Sequence, residues 1–258
     1  MISRTHLEYG DQGFVADQRE FFDKLITQDW PTYNDPGWDR LRQLEVRQLL
    51  PRVPRCKTIL DVGCGCGFRD RLLAGPPSVD RVVGIDYSPK SVQQANTHYP
   101  HPKVRRYLGD IFQHEEIVSR HGKFDLVVSF QVIEHLTNPQ DFLDACSKCA
   151  VDEGFVAVVT PNKGRLQNRV LAWRGRPTEL WDPLHFAEYH LQDLRALGRK
   201  AGLRYAGSFT HTLSFRLSYR VRLRALTPWG LQLGRVFPRC ADVIGVVFKK
   251  DRAAGRGR

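Results

Sequence analysis

The stretch ILDVGCGCGF, residues 59–68, decides how this chain is read. An apolar run of strand character passes straight into glycine, cysteine, glycine, cysteine, glycine at positions 63–67, and Asp61 stands two residues ahead of the first glycine. Glycines let a backbone take positive φ and approach a ligand closely. A four-thiolate zinc site would need Cys64 and Cys66 to join Cys146 and Cys149 of CSKC. A C-x-C pair between strand and helix is not knuckle spacing, and CSKC falls inside a helical stretch with no turn glycine. The cysteines therefore read as small packing residues. A dinucleotide loop needs G-x-G-x-x-G, whereas here the third glycine comes one place early and Phe68 fills its slot.

Outward from this loop, short β-branched or aromatic runs alternate with helical stretches. KTILDVG (57–63), RVVGIDY (81–87), VRRYLGD (104–110), FDLVVSF (124–130) and GFVAVVT (154–160) have strand length. Ser88-Pro89 and Asn138-Pro139 open two of the helices between them, each with a cap residue and a proline at the first helical position. In the second of these, Phe142, Leu143 and Cys146 fall at helical spacing. Near-continuously apolar strands joined by helical crossovers predict an α/β fold with a doubly wound, mainly parallel sheet. Residues 1–54 read as a helical cap built from FFDKLI and WDRLRQLEVRQLL around an aromatic turn. Residues 161–190 form a strandless segment with Trp173 and Trp181, the length of a lid. HLQDLRALGRKAG (190–202) predicts a helix, LRYAGSFT and ADVIGVVFKK predict the last two strands, and residues 251–258 read as a disordered tail.

The 258 residues are 41% hydrophobic and 26% charged, which suits one sizeable globular domain with appendages. The N-terminus has no apolar h-region and no run approaches a membrane span, so a cytoplasmic protein is expected. The net charge of +11 is uneven. Residues 1–160 carry 19 Lys+Arg against 22 Asp+Glu, and residues 161–258 carry 20 against 6, a net of +14. That last third could face phosphates or an anionic membrane, or be only a solvated surface.

Three acids, Asp61, Asp86 and Asp110, end the first three strands. With ILDVGCGCG, VVGIDYS, YLGDIF and FDLVVSFQVIEHL in this order, the chain resembles the class I S-adenosylmethionine-dependent methyltransferases over roughly residues 55–250. The resemblance implies a seven-stranded, Rossmann-like sheet with the last strand antiparallel. It also implies S-adenosylmethionine as cofactor. Asp61, Gly63, Cys64, Gly65 and Gly67 would hold its methionine end and Asp86 its ribose. Tyr87 would flank the adenine, Asp110 and Ile111 would meet the amino edge, and Phe130 and Gln131 would close the pocket below the sulfonium. The carboxylates suit an amino group, a diol and an exocyclic amine, and would repel the phosphates of a dinucleotide.

A hydroxyl acceptor must lose a proton, for which a histidine near the methyl group would serve. QVIEHL puts Glu134 and His135 just beyond the fourth strand, and DPLHFAEYHLQDL adds His185 and His190. His135 and His185 are the expected catalytic residues, and His190 reads as a surface residue at a helix start. The segment is similar to two branches of the family, the ubiquinone-biosynthesis O-methyltransferases with their sugar and natural-product relatives, and the small-RNA terminal 2′-O-methyltransferases. Both use E-x-x-E-H at this strand end, and the RNA branch adds a later histidine for a divalent metal. Here Gln131 replaces the first glutamate, so no metal is expected.

The segment LSFRLSYRVRLRAL (213–226), within a basic insertion at 211–239, alternates with strand period while its arginines also stripe a helical face. A basic amphipathic insertion suits peripheral contact with an anionic membrane and a small-molecule or lipid-linked acceptor. Nucleic acid is less expected, because no recognisable RNA-binding motif is evident. The alternatives carried forward are an RNA 2′-O-methyltransferase and a catalytically silent cofactor-binding scaffold.

Overall fold

The computed structural model describes residues 36–182, 184–214 and 233–252, together with Glu20 and Asp23. Apart from Asp23, the expected helix FFDKLI lies outside the described residues, as do residues 215–226 of the alternating basic segment and the tail beyond residue 252.

Helix α1 (Pro36–Leu49) precedes strand β1 (Thr58–Val62) and helix α2 (Phe68–Leu73). Then follow β2 (Arg81–Asp86), α3 (Pro89–His98), β3 (Val104–Leu108), α4 (His114–His121), β4 (Phe124–Phe130), α5 (Pro139–Cys149) and β5 (Ala150–Pro161). The chain continues through α6 (Leu166–Trp173), α7 (Leu191–Lys200), β6 (Leu203–His211) and β7 (Val243–Lys250). The seven strands form one sheet in the order β3-β2-β1-β4-β5-β7-β6. The first five are parallel, and β7 runs antiparallel to both β5 and β6. The doubly wound fold and the antiparallel last strand match the expectation.

Successive strand residues point to opposite faces, and both faces are apolar. Leu60, Val62, Val127, Val156 and Val158 pack with Phe142, Leu143 and Leu194 on one side. Ile59, Leu126, Val128, Ala157 and Val159 pack with Val46, Leu49 and Leu73 on the other. Each such large side chain taken fully out of water contributes about 1.5–3 kcal/mol. The cap helix α1 is thus part of the second core, not an appendage.

Local signals work as expected in one case and differ in another. The Ser88 hydroxyl accepts from Ser91 N at 3.0 Å, capping α3. Asn138 caps no backbone group of α5 and instead donates from Nδ2 to Asp141 Oδ2 at 3.3 Å. The long segment after β5 contains α6 and is pinned at its base, where Asn162 and Tyr189 form a bridge. Asn162 Nδ2 also donates to the Ala241 carbonyl at 2.8 Å. Its helix escaped the sequence reading because α6 has no side-chain N-cap.

Candidate active site

The parallel strands deliver their C-terminal ends to one edge of the sheet, where the crevice of an open α/β sheet lies. There the glycine loop folds back on β2, with Gly63 N and Cys64 N both donating to the Ile85 carbonyl at 2.8 and 3.0 Å. Asp86 completes the turn. Its Oδ2 accepts from Gly65 N and its Oδ1 from Ser88 N, each at 2.9 Å. Sequence reasoning gave Asp86 to the ligand alone, but it also shapes the loop. Each oxygen keeps a second lone pair for a hydroxyl. Burial raises its pKa to about 6, against the pull of the two N–H groups. A Cβ at Gly65 would meet no heavy atom within 4 Å, which leaves open space over the loop. Gly67, at φ +79°, faces the opposite situation, because a Cβ there would come within 2.7 Å of Ala95 and 2.8 Å of the Arg106 guanidinium.

Asp61 is buried, and neither of its carboxylate oxygens has a hydrogen-bond partner among the described residues. Burial, and next the charge of Asp70, push its pKa well up. An ionised carboxylate left this way is costly unless a cation meets it. Tyr87 is half-buried, Ile111 and Phe130 are buried, and exposed Asp110 accepts from Phe112 N at 3.0 Å. Cys64 is buried against Gly84. Gln131 sits at φ +59°, outside the usual range for a side-chain-bearing residue, and donates from Nε2 to Glu45 Oε1 at 3.3 Å. It therefore turns toward α1.

A second cluster lies just past β4. One ligand atom each of Glu134, His135 and His185 falls within 4.8 Å of the others. The rings of His135 and His185 meet edge to face, with centroids 4.9 Å apart. Glu134 is fully buried, with Oε2 accepting from the Thr160 hydroxyl at 2.9 Å and Oε1 lacking a partner among the described residues. Burial raises Glu134 to about 7, and burial lowers His135 to about 4. His185 Nδ1 lies 3.1 Å from Glu188 Oε1, and Glu188 is also bonded by Arg165 and by Trp181 N. Burial pushes Glu188 up, but the His185 hydrogen bond and the Arg165 charge outweigh it and hold the carboxyl below its ordinary range. An ionised Glu188 only accepts, so Nδ1 of His185 is the donor in this contact.

The two clusters follow the C-terminal ends of β1 and β4, which are neighbouring parallel strands. Residues 38–206 match a family model described as a methyltransferase domain. The chain belongs to this methyltransferase family. Over 165 residues it is 31% identical to a protein of Mycolicibacterium smegmatis that bears the name probable S-adenosylmethionine-dependent methyltransferase, covering 64% of this chain and 58% of the relative. It is 32% identical over 126 residues to the ubiquinone biosynthesis O-methyltransferase of Thiobacillus denitrificans, covering 48% of this chain and 53% of the relative. The chain thus spans little more than half the length of these curated relatives. Among solved structures, the N-methyltransferase NodS of Bradyrhizobium japonicum in complex with S-adenosyl-L-homocysteine superposes with a TM-score of 0.57. That match has 16% identity and covers 90% of this chain and 97% of NodS.

The cofactor of the methyltransferase domain is S-adenosylmethionine, as the resemblance implied. The residues fit it. Asp61 offers two unpaired, buried oxygens where an ammonium would sit, and the space over Gly65 admits a ligand. When bound, the cofactor supplies a methyl group on a sulfonium.

The structure brings His135 and His185 together, while His190 stands apart at the start of α7, where its N–H donates to Asp193 Oδ2 at 2.9 Å. No four-cysteine group exists among the described residues, where Cys64, Cys66, Cys146 and Cys149 are all free and buried. Sequence reasoning missed Glu45, Arg69, Arg165 and Glu188. Glu188 lies three residues after His185, a spacing that could have suggested it.

Proposed function

We propose that the methyltransferase domain methylates a hydroxyl of a small-molecule, sugar or lipid-linked acceptor. The observation that carries this reading is His185, held through Nδ1 by ionised Glu188 and set edge to face against His135 just past β4. A base anchored by a third group is the arrangement that activates a hydroxyl. The relative named as a ubiquinone biosynthesis O-methyltransferase supports oxygen as the atom methylated. The test is an acceptor screen with tritiated cofactor against sugars, phenols, lipid extract and small RNA. Label in a hydroxyl-bearing small molecule or lipid is expected. Label only in RNA would move the reading to RNA 2′-O-methylation, and no label in any fraction would favour a silent scaffold.

In this reading no metal takes part, and activity is expected to survive EDTA. The convergence of Glu134, His135 and His185 favours a second reading, in which two imidazoles and a carboxylate hold a divalent cation. Loss of turnover on chelation, restored by manganese or magnesium, would decide for that second reading.

An exposed surface supports a membrane-borne or anionic acceptor. Trp173 is 84% exposed, Val236 67% and Phe237 53%, with exposed Arg174, Arg176 and Arg239 around them in the chain. The start of α6 is tied to this second segment through Leu166 N and the Cys240 carbonyl, 3.0 Å apart. Aromatic and arginine side chains together suit an interface that is apolar and negatively charged. No helix among the described residues is long and apolar enough to cross a membrane. Binding to vesicles is expected to require anionic lipid and to weaken as salt rises, since exposed charges are screened over about 8 Å at physiological ionic strength. Trp173→Ala with Arg174→Ser and Arg176→Ser should weaken it. Unchanged vesicle binding and turnover would reduce this surface to ordinary solvated charge.

A further inference from the structure

An amino acid bound through its ammonium also presents a carboxylate, for which a guanidinium is a strong bidentate partner. Two guanidiniums lie within electrostatic reach of Asp61, those of Arg69 and Arg106. Arg106 is fully used. Its Nε and Nη2 bond the two oxygens of Asp70 at 2.7 and 2.8 Å, Nη2 also meets the Gly67 and Tyr99 carbonyls, and Nη1 reaches Asn96 Oδ1. Its side chain is 1% exposed, and its role is to brace the glycine loop.

Arg69 differs. It lies in the first turn of α2, directly after the loop, and only its Nε is engaged, donating to Glu45 Oε2 at 2.6 Å. Among the described residues neither of its Nη atoms has a hydrogen-bond partner, and the side chain stays 19% exposed. The guanidinium rests over the Phe130 ring, 5.0 Å from its centroid. Phe130 is itself a residue expected to line the pocket. Glu45, fully buried in α1, therefore holds the rear edge of the guanidinium and leaves its two-nitrogen edge for another anion. That edge matches a carboxylate in a bidentate fork.

We propose that Arg69 binds the α-carboxylate of the cofactor's methionine moiety, forming with Asp61 a receptor for an amino-acid zwitterion. The proposal rests on the cofactor assignment and is independent of which acceptor is methylated. It makes Arg69 a cofactor-binding residue and Glu45 a positioning residue that acts through it.

The test uses two non-reacting ligands, S-adenosylhomocysteine and its decarboxylated analogue, which keeps the amine and lacks the carboxylate. Calorimetry on the wild-type chain should show S-adenosylhomocysteine binding about 10- to 100-fold more tightly, the range of a charge-assisted pair. Arg69→Gln should remove that preference by weakening S-adenosylhomocysteine alone. Because this change leaves buried Glu45 unpaired, the double variant Arg69→Gln with Glu45→Gln should be measured beside it and give the same result. Equal binding of the two ligands by wild type would overturn the proposal without any variant. So would equal weakening of both by Arg69→Gln, which would mark a purely structural role. If neither ligand bound the wild type, the cofactor assignment itself would fall, and the proposal with it.

Discussion

Asp86→Ala is expected to bind S-adenosylhomocysteine about 100- to 1,000-fold more weakly than wild type, because several charge-assisted hydrogen bonds vanish together. The same carboxylate anchors Gly65 N and Ser88 N and would hold the ribose, so the change loosens the loop and removes a ligand contact at once. The effect should also show in pH. Burial raises Asp86 from 3.8 to about 6 in the folded chain, so without cofactor its contribution to stability is present below about pH 4 and lost as pH rises through 6. A ligand that takes the ionised form reverses this. Its affinity should fall by up to about tenfold per pH unit below pH 6, and be level above it. Calorimetry between pH 5 and 8 measures both effects. In Asp86→Ala the slope should become shallower. Equal affinity in the two proteins would remove Asp86 from the site.

His185→Ala should lower turnover by about 100- to 10,000-fold, the usual contribution of a positioned base. Cofactor affinity should change less than twofold, because His185 belongs to the cluster beyond β4 and not to the glycine loop. Glu188→Gln tests the anchoring. An amide there cannot compensate the Arg165 charge or fix the same imidazole tautomer, so a smaller loss of turnover is expected with unchanged affinity. Single-turnover rates with saturating cofactor separate these effects from binding. A His185→Ala enzyme retaining more than about a tenth of wild-type turnover would show that the proton leaves without it.

The parallel strands were legible because they are buried on both faces and so read as continuous apolar runs, as in ILDV and FDLVVSF. The residues proposed to hold the cofactor could be named for a related reason. They are strand-end carboxylates and glycines, fixed by position along the chain. What remained hidden depends on contacts between distant segments. Glu45 meets Arg69 across 24 residues and Gln131 across 86, and nothing in the amphipathic pattern of α1 distinguishes it from a solvent-facing acid. Arg165 and Glu188 find each other only because the segment between them returns to its starting point. Gln131 shows the limit from the other side. Its place after β4 was readable, but not the positive φ that aims its side chain at α1.

The bridge between Asn162 and Tyr189 has a consequence for how such a domain can diversify. The segment from 163 to 188 starts and ends at this one bridge and carries Arg165, Glu188 and His185 with it, its remaining ties to the body including Leu166 N to the Cys240 carbonyl and Phe186 N to the Glu134 carbonyl. The glycine loop and the strand-end acids lie outside that interval. An insertion, deletion or wholesale exchange between the two anchor residues could therefore redraw the acceptor side while leaving cofactor recognition intact. A chimaera joined at positions 162 and 189 should inherit its cofactor affinity from the body and its acceptor preference from the graft.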